Sequence, residues 1–257
     1  MEKSSNGRTI VWVDGVNSAV MAHLEIADGK DILPVHCDLG DSTHPDSHRF
    51  VDDLEKLYGR SIVRIKSAKF DNVDDVFEKR RYLSGINGAP CTSEMKTAPR
   101  LDFQLPSDTH LWGYAADKTD VTRFEKMKKN YPLLKQRSPL IERGMTKKDT
   151  HKLLAKLGVK RPVVYDLGMP NGNCLCCVKS SSKAYWALMR KEFPAAFEKR
   201  NEQCRRFGAR LVILRTEKLA NGKRKNIRGF PDEVPEDQST KVKAADFGGC
   251  GFDCSAT

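Results

Sequence analysis

The sequence has no apolar run that approaches the roughly 20 residues a membrane-spanning helix needs. Its first residues also lack the apolar stretch of a secretory signal. With 18 glycines and 12 prolines in 257 residues, and no internal repeat, the chain is neither collagenous nor of low complexity. These absences exclude the membrane-spanning, collagenous and disordered classes. We therefore expect a globular, cytoplasmic protein with no membrane partner.

Acidic residues are outnumbered: 34 Asp and Glu stand against 45 Lys and Arg, which gives a formal net charge of +11. A positive surface attracts polyanions through its long-range field and through counterion release. RNA or DNA is therefore a candidate partner, although a generally basic, well-hydrated surface would carry the same charge. Basic stretches occur at 126–129, 147–148, 160–161, 205–206 and 223–225. The last of these flanks an Asn221–Gly222 turn signal and could project as a basic hairpin.

Short apolar runs alternate with amphipathic stretches over the first 165 residues. Strands are predicted at 9–13, 32–37, 62–65 and 110–115, and helices at 18–27, 45–58, 73–82 and 146–158. This alternation predicts an α/β fold with a mainly parallel, twisted sheet flanked by helices. Beyond residue 163 we expect two helices split at Phe193 and Pro194, then a strand at 211–215 that leads into the hairpin turn.

Two loops at the carboxyl ends of strands are candidate ligand sites. The turn at 13–18 joins the first strand to a helix, whose N–H groups and dipole favour a phosphate. Its candidate ligand contacts are Gly15, Val16, Asn17 and Ser18, of which Ser18 can donate a hydroxyl. After the second strand, Asp38, Gly40 and Asp41 could hold a ribose or a Mg²⁺ ion. Ordinary turns and helix caps use the same residue types.

The order of these motifs resembles the phosphoadenosine phosphosulfate (PAPS) reductase family of the adenine nucleotide alpha hydrolase-like (PP-loop) superfamily. Residues 13–18 resemble its Ser-Gly-Gly-x-Asp-Ser loop, and residues 38–47 its Asp-Thr-Gly…Pro-Glu-Thr segment. Residues 91–99 match a Cys-Thr…Lys…Pro segment, and residues 112–123 a Gly-containing strand with an acidic/Arg cluster. Residues 138–149 and 173–179 are also similar. The resemblance spans approximately residues 8–205 and implies a stand-alone protein of bacterial or phage type.

The resemblance implies an adenine-nucleotide-binding α/β domain at 1–165. Residues 166–257 would be a helical and hairpin extension, with clustered cysteines, packed on the first part. It also implies catalytic roles for Lys96, Asp120 and Arg123, in which Lys96 and Arg123 balance charge that develops on phosphate.

Two chemistries are compatible with the resemblance. ATP-dependent adenylation could be followed by sulfur transfer to a nucleic acid or small molecule, or a sulfonucleotide (PAPS or APS) could be reduced. We favour the first, because the net charge of +11 suits a polyanionic substrate. A sulfur-donor protein and a second copy of the chain are further candidate partners.

The phosphate loop departs from the family pattern. Val13 and Asp14 replace its first Ser and Gly, and the Asp14 carboxylate would repel a phosphate. Asn17 replaces an Asp, and Lys118 stands where related proteins often have Glu. A catalytically degraded nucleotide- or nucleic-acid-binding module with a structural metal site is therefore the alternative, and whether the chain is an enzyme stays open.

Clustered cysteines in a reducing compartment indicate metal binding or catalysis more than disulfides. Cys174 and Cys177 form one close pair, and Cys250 and Cys254 form another. Together they could supply four thiolates to a [4Fe–4S] cluster or, alternatively, to Zn²⁺. Cys176 is a substitute ligand, because the adjacent 176–177 pair resembles that of adenylyl-sulfate reductases. Independent buried thiols would need no metal.

Overall fold

The computed structural model of the protein describes residues 7–85 and 88–243. Five strands form a parallel sheet: β1 (Thr9–Trp12), β2 (Leu33–Cys37), β3 (Val63–Ile65), β4 (Thr109–Leu111) and β5 (Lys135–Arg137). Their order in the sheet is β3-β2-β1-β4-β5, with every neighbouring pair parallel. Helices cover the sheet, so the predicted α/β class is confirmed.

The central strand β1 is apolar because both faces of the sheet are covered. Its side chains alternate between faces: Val11 packs into one core cluster, whereas Ile10 and Trp12 pack into another. Ile10 lies in register with Leu33 of β2 and with His110 of β4. The chain therefore places its most apolar strand where it has a neighbour on each side.

Ten α-helices accompany the sheet in the described part of the chain. They are α1 (Val16–Ala27), α2 (Asp46–Tyr58), α3 (Val73–Arg80), α4 (Pro90–Thr92), α5 (Ala98–Phe103), α6 (Lys118–Asn130), α7 (Pro139–Glu142), α8 (Lys147–Lys156), α9 (Lys183–Glu192) and α10 (Pro194–Arg206). A π-helical turn, Ser93–Thr97, joins α4 to α5. None of these helices combines the length and apolarity needed to cross a membrane.

Local signals explain where several helices begin and end. Helix α8 starts at a capping box, in which the Thr146 side chain accepts the Asp149 N–H and the Asp149 side chain accepts the Thr146 N–H. Helix α2 stops at Gly59, whose φ of 62° is left-handed. Pro194 opens α10 directly after Phe193 ends α9, as the sequence predicts.

The C-terminal half shares its core with the sheet domain. One core cluster contains Phe77 and Met95 together with Trp186, Phe197 and Phe230. Two antiparallel strands, β6 (Val212–Lys218) and β7 (Arg224–Gly229), form a ribbon that is rooted in this cluster and turns at the predicted Asn-Gly pair. The predicted ligands Cys250 and Cys254 lie outside the described residues.

Candidate functional site

A cleft lies at the carboxyl edge of the sheet, between the loops that follow β1 and β4. The chain passes from β1 to β3 on one side of the sheet and from β4 to β5 on the other. The strand order therefore reverses between β1 and β4, and open α/β sheets bind ligands at such reversals. The lining residues are Trp12, Asp14, Gly15, Val16, Asn17, Ser18, Lys96, Trp112, Gly113, Tyr114, Asp120, Arg123, Lys147, Tyr165, Asn171, Gly172 and Asn173.

The loop after β1 is held together by the Ser18 hydroxyl. Its oxygen accepts the N–H of Asp14 at 2.9 Å and of Gly15 at 3.1 Å, and the hydroxyl donates to the Gly15 carbonyl at 2.9 Å. The hydroxyl that the sequence offers to a phosphate is thus used within the loop. Asn17 is tied to α8, because the Thr150 hydroxyl donates to its side-chain oxygen at 2.7 Å. These hydrogen bonds link the loop to itself and to α8.

A tyrosine hydroxyl sits at the amino end of α1. The backbone N–H groups of Val16 and Gly172 face the Tyr165 oxygen and lower its pKa. Burial raises the pKa of Tyr165 to about 12, so the hydroxyl is neutral at physiological pH. A Cβ on Gly15 would lie only 2.9 Å from it. A neutral oxygen therefore lies beside the first N–H group of α1. The sequence predicts that a phosphate binds at this position.

The carboxylate of the degenerate loop is paired with a lysine. Lys96, 6% exposed, reaches back from the π-helical turn, and its Nζ lies 2.9 Å from Asp14 Oδ2. Burial alone would raise the pKa of Asp14, but the charges of Lys96 and His36 hold it below its ordinary value. Asp14 is therefore ionised, and its repulsion of an incoming anion is partly cancelled by Lys96.

The other two predicted catalytic residues come from α6, which follows β4. Arg123 Nη1 donates to Asp120 Oδ1 at 2.9 Å, and the guanidinium lies over the Tyr114 ring at 5.3 Å. Asp120 also accepts the Ala115 N–H at 3.2 Å. The structure therefore brings Asp120 and Arg123 of α6 to the same cleft as Lys96 of the π-helical turn.

A glycine allows the two loops to meet. A Cβ on Gly113 would lie 2.7–2.8 Å from the N, Cα and Cβ atoms of Ser18. Real Cβ atoms do not approach backbone that closely, so any side chain here would push the β4 loop away from α1. Gly113 thus sets the width of the cleft at its base.

The far wall combines a lysine and an unsatisfied amide. Lys147 Nζ donates to the Pro170 carbonyl and, at 2.5 Å, to Asn171 Oδ1. Burial lowers the pKa of Lys147, with Asp120 and Asp117 opposing that shift. Asn173 is 8% exposed, and its Nδ2 has no hydrogen-bond partner among the described residues. Such a donor costs about 1–3 kcal/mol when it has no acceptor, so this position of the wall is suited to an acceptor atom of a ligand or a water molecule.

The predicted ribose or Mg²⁺ residues lie elsewhere. Asp38 accepts the Gly40 N–H at 2.9 Å, which closes a local turn. Gly40 has a φ of 62°, and a Cβ there would lie 2.9 Å from the Asp71 carbonyl oxygen. Asp38, Gly40 and Asp41 are absent from the residues that line the cleft. In this structure they shape the connection from β2 to α2.

The cysteine motif surrounds a buried tyrosine. The Cys177 N–H donates to the Tyr185 hydroxyl at 2.5 Å, and that hydroxyl donates to the Cys174 carbonyl at 3.4 Å. Cys176 has a φ of 50°, and burial raises the pKa of its thiol to about 12. No group of three or more His, Cys, Asp or Glu side chains is arranged to hold a metal ion within 7–85 and 88–243. The four-thiolate site, half of which lies beyond residue 243, remains a prediction.

Several cleft residues carry no clear signal in the sequence. Tyr165 lies in a 3₁₀ turn, Val163–Tyr165, that looks like an ordinary connection. The segment just before the cysteines, Asn171, Gly172 and Asn173, matches no ligand-binding motif by itself. The cluster of Asn and Gly before an expected ligand motif is the one pattern that indicates a shaped loop here.

Comparison with known proteins finds matches among solved structures. No protein-family model matches the sequence, and no curated protein matches it. The chain is similar to a PAPS reductase. That solved structure is the phosphate complex of phosphoadenylyl-sulfate (PAPS) reductase from Candida auris. The TM-score is 0.47 at 13% sequence identity, over 66% of this chain and 81% of that chain.

Proposed function

We propose that the cleft between the β1 and β4 loops binds an adenine nucleotide: ATP, or a sulfonucleotide such as PAPS or APS. The observation that carries the proposal is the coincidence of three features at one place. The strand order reverses there. Lys96, Arg123 and Lys147 supply positive charge, and Asn173 presents an unmet donor. Ligands of α/β sheets bind where such features coincide.

The nucleotide's phosphates belong beside Lys96 and Arg123 in this proposal. Both cations come from segments that a ligand would bridge, and each is already oriented by a carboxylate, Asp14 or Asp120. Side chains held in place before binding lose little freedom when the ligand arrives. Trp12 and Trp112 supply the apolar part of the wall against which a base or ribose can pack.

The proposed reaction is adenylation followed by sulfur transfer. A substrate oxygen attacks the α-phosphorus of ATP, the bond between the α- and β-phosphates breaks, and pyrophosphate leaves. Sulfide-level sulfur from a donor then attacks the adenylated carbon, the bond from that carbon to the AMP oxygen breaks, and AMP leaves. Lys96 and Arg123 would offset the charge that develops on the phosphates. Sulfonucleotide reduction is the alternative reaction for the same cleft. In either case the sequence resemblance, rather than the cleft, supports the choice of reaction.

A second candidate function is nucleotide binding without turnover. The Tyr165 hydroxyl lies beside the N–H of Val16, and the Ser18 hydroxyl oxygen accepts those of Asp14 and Gly15. These amides would have to change partners before the loop could hold a phosphate. This observation favours a binding module in which phosphates contact the cations and Asn173 instead of the loop.

The metal site is a separate part of the proposal. Cys174 and Cys177 would supply two of four thiolates to a [4Fe–4S] cluster or to Zn²⁺, with Cys250 and Cys254 supplying the others. Iron, sulfide and zinc analysis after anaerobic purification tests it directly. About four irons and four sulfides per chain would support the cluster. One zinc without iron would support a structural clamp and the binding module.

Nucleotide binding can be measured by isothermal titration with ATP, PAPS, APS and GTP. Lys96→Gln should weaken binding of the preferred adenine nucleotide by about tenfold or more, because it removes a charge-assisted contact worth roughly 1.5–3 kcal/mol. Lys118→Gln is the matched control: it removes the same charge from an exposed position at the start of α6 that does not line the cleft. Equal affinities in the two variants, or no binding by the parent protein, would refute the cleft assignment.

Turnover is tested by pyrophosphate release from ATP under anaerobic conditions, with and without RNA or DNA. Release that disappears in Arg123→Gln would support the adenylating enzyme. Tight nucleotide binding without pyrophosphate or sulfite release would support the binding module. Sulfite release from PAPS or APS would support the reductase.

A further inference from the structure

The β6–β7 ribbon projects from the body of the protein. Its inner end is anchored by buried Val212, Gly229 and Phe230, whereas residues 218–226 are exposed without interruption. With a rise of about 3.3 Å per residue, the exposed part of each strand reaches roughly 15 Å from the core. A two-stranded ribbon with both faces in solvent gains little by burial, so its tip does not serve the hydrophobic core.

The charge on the ribbon is strongly one-sided. Between residues 215 and 228 it carries six cations, Arg215, Lys218, Lys223, Arg224, Lys225 and Arg228, against the single carboxylate of Glu217. Glu217 is used locally, since Arg215 Nε donates to it at 2.9 Å. Within the described chain, no carboxylate lies within ion-pair distance of Lys218, Lys223 or Arg224.

The strand register places two like charges against each other. Lys218 lies directly opposite Arg224, immediately before and after the turn. Directly opposed cations destabilise an antiparallel pair, whereas the next pair, Glu217 opposite Lys225, shows that a carboxylate fits this strand. Folding alone does not explain the Lys218–Arg224 pair. Residues that destabilise the fold locally are expected at positions where a binding partner contacts them.

We propose that the β6–β7 ribbon binds duplex DNA, with its tip in the major groove and its cations on the phosphates. Two strands lie about 4.8 Å apart, and with side chains they fit a groove about 12 Å wide. The major groove of A-form RNA is too deep and narrow for side chains to read, so the ribbon suits B-form DNA better. This inference goes beyond nucleotide binding in the cleft and does not depend on it.

The test measures binding to a fluorescent DNA duplex of about 20 base pairs by anisotropy, across a range of salt concentrations. The ribbon variant carries Lys218→Gln, Lys223→Gln and Arg224→Gln. Loss of three phosphate contacts should weaken binding about tenfold or more at roughly 100 mM salt and reduce the slope of log K against log salt by about 2.7. Its melting temperature should stay the same or rise, because the opposed cations are gone.

The matched control carries Lys148→Gln, Lys152→Gln and Lys156→Gln. These exposed lysines lie along one face of α8, and their loss changes the net charge by the same amount. The control should keep the DNA affinity and salt slope of the parent protein. Equal losses in the two triple variants would mean diffuse attraction by net charge and would overturn the proposal.

Three further measurements distinguish DNA binding by the ribbon from the alternative explanations. Tighter binding to duplex RNA or to anionic lipid vesicles than to duplex DNA would overturn it. Absence of DNA binding by the parent protein would overturn it as well. The ribbon variant should retain nucleotide binding, and Lys96→Gln should retain DNA binding. Failure of the cleft proposal is therefore distinguishable from failure of this one.

Discussion

Protonation of His110 is expected to destabilise the protein in mild acid. This side chain is fully buried on β4, where its ring lies nearly parallel to those of Trp12 and Trp112 at centroid distances of 6.0 and 5.8 Å; the two indole centroids are themselves 6.0 Å apart. Its Nδ1 accepts a hydrogen bond from Trp12 Nε1 at 3.0 Å. Its Nε2 has no hydrogen-bond partner among the described residues. The ring is therefore neutral, with its proton on Nε2.

The magnitude follows from the pKa. Burial, helped by the charge of Arg100, lowers the pKa of His110 from its ordinary 6.5 to about 4. Because the folded-state pKa is depressed, this contribution to stability is complete above pH 6.5 and is lost as the pH falls toward 4. At 1.36 kcal/mol per pKa unit, the loss is about 2 kcal/mol by pH 5 and about 3 kcal/mol by pH 4. Protonation of His110 at Nδ1 would also place a second N–H donor opposite the Trp12 Nε1–H, so the hydrogen bond between them would be lost.

The assay is urea unfolding at several pH values, followed by tryptophan fluorescence, for the parent protein and His110→Asn. Asparagine keeps an acceptor near Nδ1 but cannot titrate. At pH 7 the variant should be about 2 kcal/mol less stable, because the buried ring is lost. Near pH 5 the two stabilities should cross. His151, whose pKa burial also lowers to about 4, is present in both proteins, so its effect cancels in the difference.

The exposed His48 provides the control, since His48→Asn should leave both the stability and its pH dependence unchanged. A stability difference between the parent protein and His110→Asn that stays constant from pH 7 to pH 4 would refute the reasoning. Trp12 and Trp112 line the cleft, so nucleotide affinity should fall over the same pH range as the stability.

Three substitutions in the cleft give further expected outcomes. Tyr165→Phe removes the hydroxyl oxygen at the amino end of α1. Nucleotide affinity should rise, and urea unfolding should show that the free energy of unfolding falls by about 1 kcal/mol. Unchanged affinity would contradict the Tyr165 contact. Asp14→Asn should tighten nucleotide binding by about tenfold, as measured by titration, because Lys96 loses its competing carboxylate; weaker binding would contradict this. Gly113→Ala should destabilise the protein by about 1–3 kcal/mol through contact with Ser18, whereas an unchanged melting temperature would show that the β4 loop moves freely.

The strands and helices that sequence patterns predict are those with a buried apolar face. β1 and α2 are examples, because Ile10, Val11, Phe50 and Leu54 are buried at regular spacing. Helix α6 was not predicted, since Phe124 and Met127 are its only buried residues and the others are mostly polar. Strand β5 was missed for the same reason: Lys135–Arg137 is a polar edge strand. Short elements without an apolar period are set by tertiary pairing.

The candidate site also has one part that the sequence predicts and another that it does not. The sequence order of motifs places Lys96, Asp120 and Arg123 together, and the structure brings them to one cleft. The sequence cannot indicate that Ser18 turns its hydroxyl inward or that Tyr165 caps α1, because both depend on contacts between distant segments. The motif order also assigns Asp38 and Asp41 to the nucleotide site, whereas they lie outside the cleft. It therefore predicts only part of the set of residues that meet, and none of the hydrogen bonds among them.

The π-helical turn Ser93–Thr97 also limits which changes this segment can tolerate. It lies inside an otherwise continuous helical run, and such turns hold one more residue than a regular α-helical turn. Lys96 faces the cleft from within it, and Arg100, one turn later, packs over the Tyr131 ring. Deletion of one residue here would restore a regular helix but rotate one cation by about 100° relative to the other. A regular α-helix in this segment could therefore keep only one of Lys96 and Arg100 in its present position.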